Sequence, residues 1–449
     1  MAETPQTSRD GGPLTGDQIT ANFGDLHEPL SAHEASVESA RCLYCYDAPC
    51  ITACPTGIDI PTFIHQIRTG NPIGSAETIL EANIMGGSCA RVCPTEELCE
   101  EACVRNTCED KPIEIGALQR FAVDTLMAND APHPFTRAPE TGKTVAVVGA
   151  GPAGLSAAHR LACDGHKVTV YEAMPKPGGL NEYGIAAYKM VDDFARREVD
   201  FLLGVGGIEI NYGIALGADI TLAQLKADHD AVFIGVGLGK AKKTGLPGSD
   251  LTGVEDAIDF IATLRQTADK AALSMAGDDV VVIGGGNTAI DAAIQSIRLG
   301  AESVTLCYRR GREGMSATEY EQALAAQNGV TIRTFVAPKE MTGTGMVDSI
   351  SLAKTALDPS GALIETGKTI TLPASRVFFA IGQKLDDDVL DGLIGDTGKI
   401  SVDDTYQTSV TGVFAGGDCI ASASDLTVQA VEDGKRAAMA ISAFLRGES

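Results

Sequence analysis

No stretch of about 18 apolar residues occurs anywhere in the 449-residue chain, and its start, MAETPQTSRDGGPLTGDQ, has no apolar segment of the kind an export signal needs. Neither a membrane-spanning helix nor a secretory leader is expected, which places the protein in the cytoplasm. Positive charge is scarce too: 35 Lys and Arg stand against 60 Asp and Glu, for a net charge of -25. Such a surface repels phosphate backbones and anionic lipid, so neither nucleic acid nor a membrane is an expected partner. Cysteine is nearly missing from most of the chain. Nine of the twelve fall between Cys42 and Cys108, with Cys163, Cys307 and Cys419 scattered beyond. In a chain kept reduced, that concentration points away from disulfides and towards metal ligation or redox chemistry.

At about 150 residues per domain the length suggests three domains, and 44% apolar residues can fill a core in each. Residues 1 to about 30, rich in Thr, Gly, Pro and Asp, read as an extended arm lying on a neighbour and needing no fold of its own. A helix is expected from Ser31, where Ser31-Ala-His-Glu34 has capping-box spacing. From Cys42 to about Met127 the cysteines are separated by short helical patterns without alternating strands, which predicts a small α-helical domain built around metal.

After the linker DAPHPFTRAPETGK the pattern becomes strand, glycine-rich turn, helix, strand. Gly149-Ala-Gly151-Pro152-Ala153-Gly154 follows the apolar run Val145 to Val148 and opens a helix, the context in which GxGxxG cradles a pyrophosphate. Glu172, at the end of the next strand, suits the hydroxyls of an unphosphorylated ribose. FAD is the expected occupant because two more signals follow. Gly178-Gly179-Leu180 is a second glycine-rich turn, and Gly417-Asp418 ends an apolar strand just before a helix that begins near Thr427. That helix would aim its positive end at the reduced flavin.

The pattern returns at Gly284-Gly-Gly286-Asn287-Thr288-Ala289, a GxGxxA variant suited to a nicotinamide dinucleotide. Here the second strand ends in Tyr308-Arg309-Arg310, with Arg312 beyond. Guanidinium groups there suit a 2′-phosphate, and they also stack on adenine. The apolar runs 231–239 and 378–382, the latter ending in Ile381-Gly382 at the cofactor, read as crossovers between interleaved domains. The expected architecture is α/β. An N-terminal helical domain carrying two 4Fe–4S clusters (1–140) precedes a two-segment FAD domain (141–238 and 378–449), into which a NAD(P)H domain (239–377) is inserted.

Cys42-x2-Cys45-x4-Cys50-x3-Cys54-Pro55 resembles the ferredoxin run ending in Cys-Pro, with two extra residues in the second gap. Cys89, Cys93-Pro94, Cys99, Cys103 and Cys108 form a second group. Structural zinc is the plainer alternative, but two Cys-Pro elements beside a flavin domain favour two cubane clusters.

Taken together, CLYCYDAPCITACPTGIDIPTFI, IMGGSCARVCPTEELCEEACVR and PIEIGALQRF make the chain, from Asn22 onwards, resemble the NAD- and FAD-binding subunits of bacterial dihydropyrimidine dehydrogenases and the N-terminal half of the animal enzyme. In that family the two clusters exchange a ligand. The resemblance implies Cys42, Cys45, Cys50 and Cys103 for one cluster and Cys54, Cys93, Cys99 and Gln119 for the other. It leaves Cys89 and Cys108 as free thiols. It also implies FAD contacts from Gly178 to Leu180, Lys189, Leu216, Asp418 and Thr427, and dinucleotide contacts from Asn287, Thr288, Arg309 and Arg310. Three positions depart from the pattern: Lys189 replaces an Arg, Asn287 an Asp that many relatives carry, and Met315 a third phosphate-binding Arg of the NADP-using animal enzyme. The last favours NADH.

With no barrel for FMN after Ser449 and no Cys-x-x-Cys beside the flavin motif, electrons are expected to leave through the clusters. The implied partner is a separate FMN-containing catalytic subunit acting on the C5–C6 bond of uracil or thymine, joined in a hetero-oligomer; no residue of this chain reads as its catalytic acid. The competing readings are a glutamate synthase small subunit, built from the same modules, and a zinc-stabilised dinucleotide-binding regulator without turnover.

Overall fold

The computed structural model describes residues 13–109, 111–129, 132–386, 390, 392–422 and 424–448. They divide between two compact units, one holding 13–28, 183–191 and 241–383 and the other 29–182, 192–240 and 384–448.

The larger unit begins with helices. Ala32–Ser39 starts at the expected capping box: the Ser31 hydroxyl accepts from Glu34 N, and the Glu34 side chain accepts from Ser31 N. Ile60–Arg68 and Pro72–Ala82 are capped by Asp59 and Asn71, each with a proline in the first turn. Gly86–Val92 and Ile115–Ala128 complete the main set. Ile60, Phe63, Ile64 and Ile67 fall on one face by their three- and four-residue spacing and are buried with Ile79, Leu80, Leu118 and Ala122. Each such side chain contributes about 1.5–3 kcal/mol over its exposed state.

A five-stranded parallel sheet follows, in the order Val413–Ala415, Ala231–Ile234, Thr144–Val148, Lys167–Glu172, Ile208–Tyr212. Parallel strands covered on both faces read as continuous apolar runs, as TVAVV and AVFI do. Helix Thr427–Arg446 packs closely on helix Pro152–Cys163. The approach requires Gly434, where a Cβ would overlap the Ala153 carbonyl oxygen.

Helix Phe194–Leu203, in the same unit, carries a carboxylate into the interior. Glu198 is 1% exposed and accepts from Ser88 N at 2.9 Å and from the Ser88 hydroxyl. Burial raises its pKa to about 7 against 4.5 for a solvated glutamate, with the Ser88 hydrogen bonds pulling the other way. The folded protein therefore keeps a proton that the unfolded chain releases, so stability falls as pH rises from 4.5 through about 7. Glu198→Gln should flatten this dependence and raise stability at pH 8 by up to about 3 kcal/mol. Thermal unfolding of both proteins across that range checks it; parallel curves would mean that Ser88 and Arg91 hold the carboxylate charged.

The smaller unit holds a second parallel sheet, ordered Val254–Asp256, Arg376–Ala380, Asp279–Gly284, Ser303–Cys307, Thr331–Arg333. Beside it lies a three-stranded antiparallel sheet of Val336–Thr344, Met346–Leu357 and Leu363–Pro373, which is not part of the architecture expected from the sequence. Two further differences concern boundaries. Phe378 and Phe379, expected to open the second flavin-domain segment, pair with Val282 and Ile283 inside the second sheet. Within the supposed arm, Gly16–Asn22 is a helix with its own capping box between Thr15 and Gln18. Ile19 and Phe23 are buried with Ile297 and Leu299 of the same unit, so this segment gains the apolar burial that a free arm lacks. Residues 1–12 of that arm lie outside the described residues.

Candidate functional site

In the larger unit, strand Thr144–Val148 ends in a turn that only glycine permits: Gly149 has φ +97°, and a Cβ there would overlap the Gly235 carbonyl oxygen. Gly151 then caps helix Pro152–Cys163, leaving the backbone N–H groups of Pro152-Ala153-Gly154 and beyond at the positive helix end, apart from the proline. The second glycine-rich turn closes on the first: Gly178 N donates to Ala150 O at 2.7 Å, and a Cβ on Gly179 would stand 2.7 Å from Gly151 Cα. The buried Glu172 accepts from Ala150 N at 2.6 Å and from Met174 N at 2.7 Å. Burial pushes its pKa up, against the pull of those N–H groups. Asp418, also raised by burial, approaches the loop at Gly237, while Thr427 at the start of the last helix donates to Asn181 Oδ1 at 3.1 Å. Leu216 lies on the loop after strand Ile208–Tyr212. Gly149 to Gly154, Glu172, Gly178 to Leu180, Gly417, Asp418 and Thr427 thus frame one end of this sheet.

In the smaller unit, Gly284 ends strand Asp279–Gly284 and Gly286 caps helix Asn287–Arg298, so Asn287 and Thr288 occupy its first turn. The Tyr308 ring lies so close to Gly285 that a Cβ there would stand 2.5 Å from it. Arg309 and Arg312 are exposed and Arg310 half-buried; among the described residues none of the three is in an ion pair. Met315 is buried in this unit's core. Ile381 and Gly382 follow strand Arg376–Ala380. Lys189, expected near FAD, has its ammonium 2.7 Å from Asp291 and 2.6 Å from Glu321. Burial works against its charge and the two carboxylates outweigh it, raising its pKa.

The cysteines gather in two pockets of the larger unit. Cys42, Cys45, Cys50 and Cys103 line one, walled by Ile60, Ile64, Ile113 and Ile115. Its loop turns through left-handed backbone at Tyr44 (φ 53°) and Ala48 (φ 31°), a conformation costing roughly 1–2 kcal/mol per residue outside glycine. Cys54, Cys93, Cys99 and Gln119 line the other, together with Cys89, Asn83 and Val428. Cys89 belongs to the second cysteine group of the sequence, whereas Asn83 and Val428 carry no sequence signal that points to this pocket. Burial raises the Cys42 thiol pKa, that of Cys50 to about 11, and that of Cys99; Cys93 is raised first by its contact with the Cys89 thiol and then by burial. Among the described residues no three His, Cys, Asp or Glu side chains converge on a point where a single metal ion would sit. Gln119 is buried, and its Nε2 donates to Gly86 O at 2.6 Å. Cys108 is exposed and lines neither pocket.

Two cysteine-lined pockets in a helical domain, joined in one chain to two dinucleotide folds, define an iron–sulfur oxidoreductase of the flavin and nicotinamide class. The chain belongs to the pyridine nucleotide-disulphide oxidoreductase family, whose family model matches residues 143–434, while the model described as dihydropyrimidine dehydrogenase domain II, 4Fe-4S cluster, matches residues 19–131. FAD, a pyridine nucleotide and 4Fe–4S clusters are accordingly its cofactors. The NAD-dependent dihydropyrimidine dehydrogenase subunit PreT of Salmonella typhimurium is 37% identical over 436 residues, covering 96% of this chain and 97% of that protein. The glutamate synthase (NADPH) small chain of Escherichia coli is 34% identical over 449 residues, covering 94% of each. Thioredoxin reductase of Lactococcus lactis, at 22% identity and TM-score 0.56, shares the fold over 68% of this chain and 99% of its own. No helix among the described residues is long and apolar enough to cross a membrane.

Proposed function

We propose that this chain is the electron-input subunit of a cytoplasmic dihydropyrimidine dehydrogenase. It accepts electrons from NADH and passes them, through FAD and two 4Fe–4S clusters, to a separate FMN-containing subunit that interconverts uracil or thymine and the 5,6-dihydropyrimidines. The observation carrying this reading is the second pocket, where Cys54, Cys93 and Cys99, with Cys89 beside them, and one buried glutamine line a common space. Gln119 Nε2 is committed to Gly86 O, which leaves Oε1 as the atom free to ligate iron. Cys42, Cys45, Cys50 and Cys103 hold the other cluster. Bound in these pockets, the clusters supply one-electron carriers between a two-electron flavin and the partner.

The residues also suggest an order. Val428 lines the second pocket and follows Thr427, the residue at the flavin end of the last helix. The cluster held by Gln119 is therefore the one nearer the flavin, and the four-cysteine cluster the outer one. Buried Met315 offers no charge to a 2′-phosphate, which supports NADH as donor.

The 34% identity to a glutamate synthase small chain supports the second reading, in which the same electron input feeds a different large subunit. The test is to purify the chain with its native partner and supply NADH with uracil, or with glutamine and 2-oxoglutarate. Dihydrouracil formation is expected; glutamate formation without it would establish the second reading. Zinc in place of iron and sulfide would establish a regulator without turnover.

A further inference from the structure

Asn83 follows helix Pro72–Ala82 and is entirely buried at the edge of the second pocket. Three of its four polar groups are engaged. Its backbone N–H donates to Ile79 O at 2.9 Å, its backbone carbonyl accepts from Gly86 N at 2.9 Å, and its side-chain Oδ1 accepts from Met85 N at 3.0 Å. Because Met85 N can only donate, Oδ1 and Nδ2 are assigned without ambiguity. The remaining group, the Nδ2 amide, is buried and has no hydrogen-bond partner within the protein. Buried donors are seldom left unpaired, and one lining a pocket of thiols is best satisfied by what the pocket holds.

We infer that Asn83 is a positioning residue for the second cluster, its Nδ2–H donating a hydrogen bond to a sulfur of that cluster, either a bridging sulfide or a cysteine thiolate. This rests on the cluster assignment proposed above. Gly86 ties the arrangement together: its N–H donates to the Asn83 carbonyl and its own carbonyl accepts from Gln119 Nε2. One residue thus touches both the neutral ligand and the donor. A hydrogen bond to a cluster sulfur stabilises the more negative, reduced state, so Asn83 raises this cluster's reduction potential. Nothing comparable lines the first pocket, whose walls are aliphatic apart from its cysteines and Arg105.

The test is a redox titration of the purified full chain, followed by electron paramagnetic resonance, for wild type and Asn83→Leu. Iron and sulfide measured on wild type first establish whether the clusters are there; if they are not, the functional reading fails and not this inference alone. Given both clusters, Asn83→Leu should shift the midpoint of one cluster negative by about 59 mV, a tenfold change in reduced fraction for a one-electron couple, and leave the other in place. An unchanged midpoint overturns the inference. Should Asn83→Leu lose the cluster, the unaltered protein decides. With asparagine labelled by nitrogen-15 in its side-chain amide, pulsed resonance of the reduced cluster should show a nitrogen coupling. Its absence means that the amide is satisfied by water and not by sulfur.

Discussion

Cys103→Ala and Gln119→Ala should each remove about half of the iron and sulfide, and the two variants should lose different clusters. Cys103 stands with Cys42, Cys45 and Cys50, whereas Gln119 stands with Cys54, Cys93 and Cys99, although Cys50 and Cys54 are one helical turn apart in the chain. This crossing makes the outcome specific: a reading of the cysteines in sequence order would assign Cys54 to the first group and Cys103 to the second. FAD should still bind, since the residues framing that site begin at Gly149, and NADH should still bleach it. Delivery of electrons to the partner should fail. Some folded protein will be lost in both variants, because the loops carrying the cysteines are held by what they ligate. Paramagnetic resonance of each reduced variant, with iron and sulfide content, decides. If Gln119→Ala keeps both clusters with unchanged signals, the fourth ligand is Cys89, which lines the same pocket and is buried.

Arg309→Glu combined with Arg310→Glu should weaken NADPH far more than NADH. Only NADPH carries a 2′-phosphate, and hydrogen bonds to a charged group contribute about 1.5–3 kcal/mol each, so the loss for NADPH is on the order of tenfold to a hundredfold per arginine. Neither side chain is in an ion pair among the described residues, so the substitution breaks no salt bridge of the fold. Dissociation constants for both nucleotides, measured with the flavin oxidised, give the comparison. Equal losses would mean that the guanidinium groups stack on adenine, which both nucleotides share.

The architecture was legible wherever the chemistry is local. Gly149 and Gly284 sit where their backbone or their neighbours admit nothing larger, so the two dinucleotide folds announce themselves in a few residues. The capping box at Ser31 is equally local. What escaped notice depends on distant partners. Leu363–Pro373 is largely exposed and only Ile370 and Leu372 at its end pack against the core, so its place in a third sheet shows chiefly in its pairing with Met346–Leu357. Helix Gly16–Asn22 lies in a segment whose Gly and Pro content masks Ile19 and Phe23, which become core only once residues near 297 are beside them. Phe378 and Phe379 form an apolar strand that either sheet could accept. Asn83 is one asparagine among many until the pocket shows that its amide has no partner. Gln119 entered through resemblance alone; its side chain lines the second pocket with Nε2 bonded to Gly86 O, an arrangement compatible with a ligand and with a core hydrogen bond alike.

The central claim is that this one chain carries electrons from a nicotinamide nucleotide through flavin to iron–sulfur clusters. Anaerobic addition of NADH to the purified, reconstituted protein without its partner tests it most directly. The flavin absorption should bleach, and resonance signals of reduced 4Fe–4S clusters should follow when the nucleotide is in excess. Protein that holds FAD yet shows no bleaching with either NADH or NADPH would contradict the account.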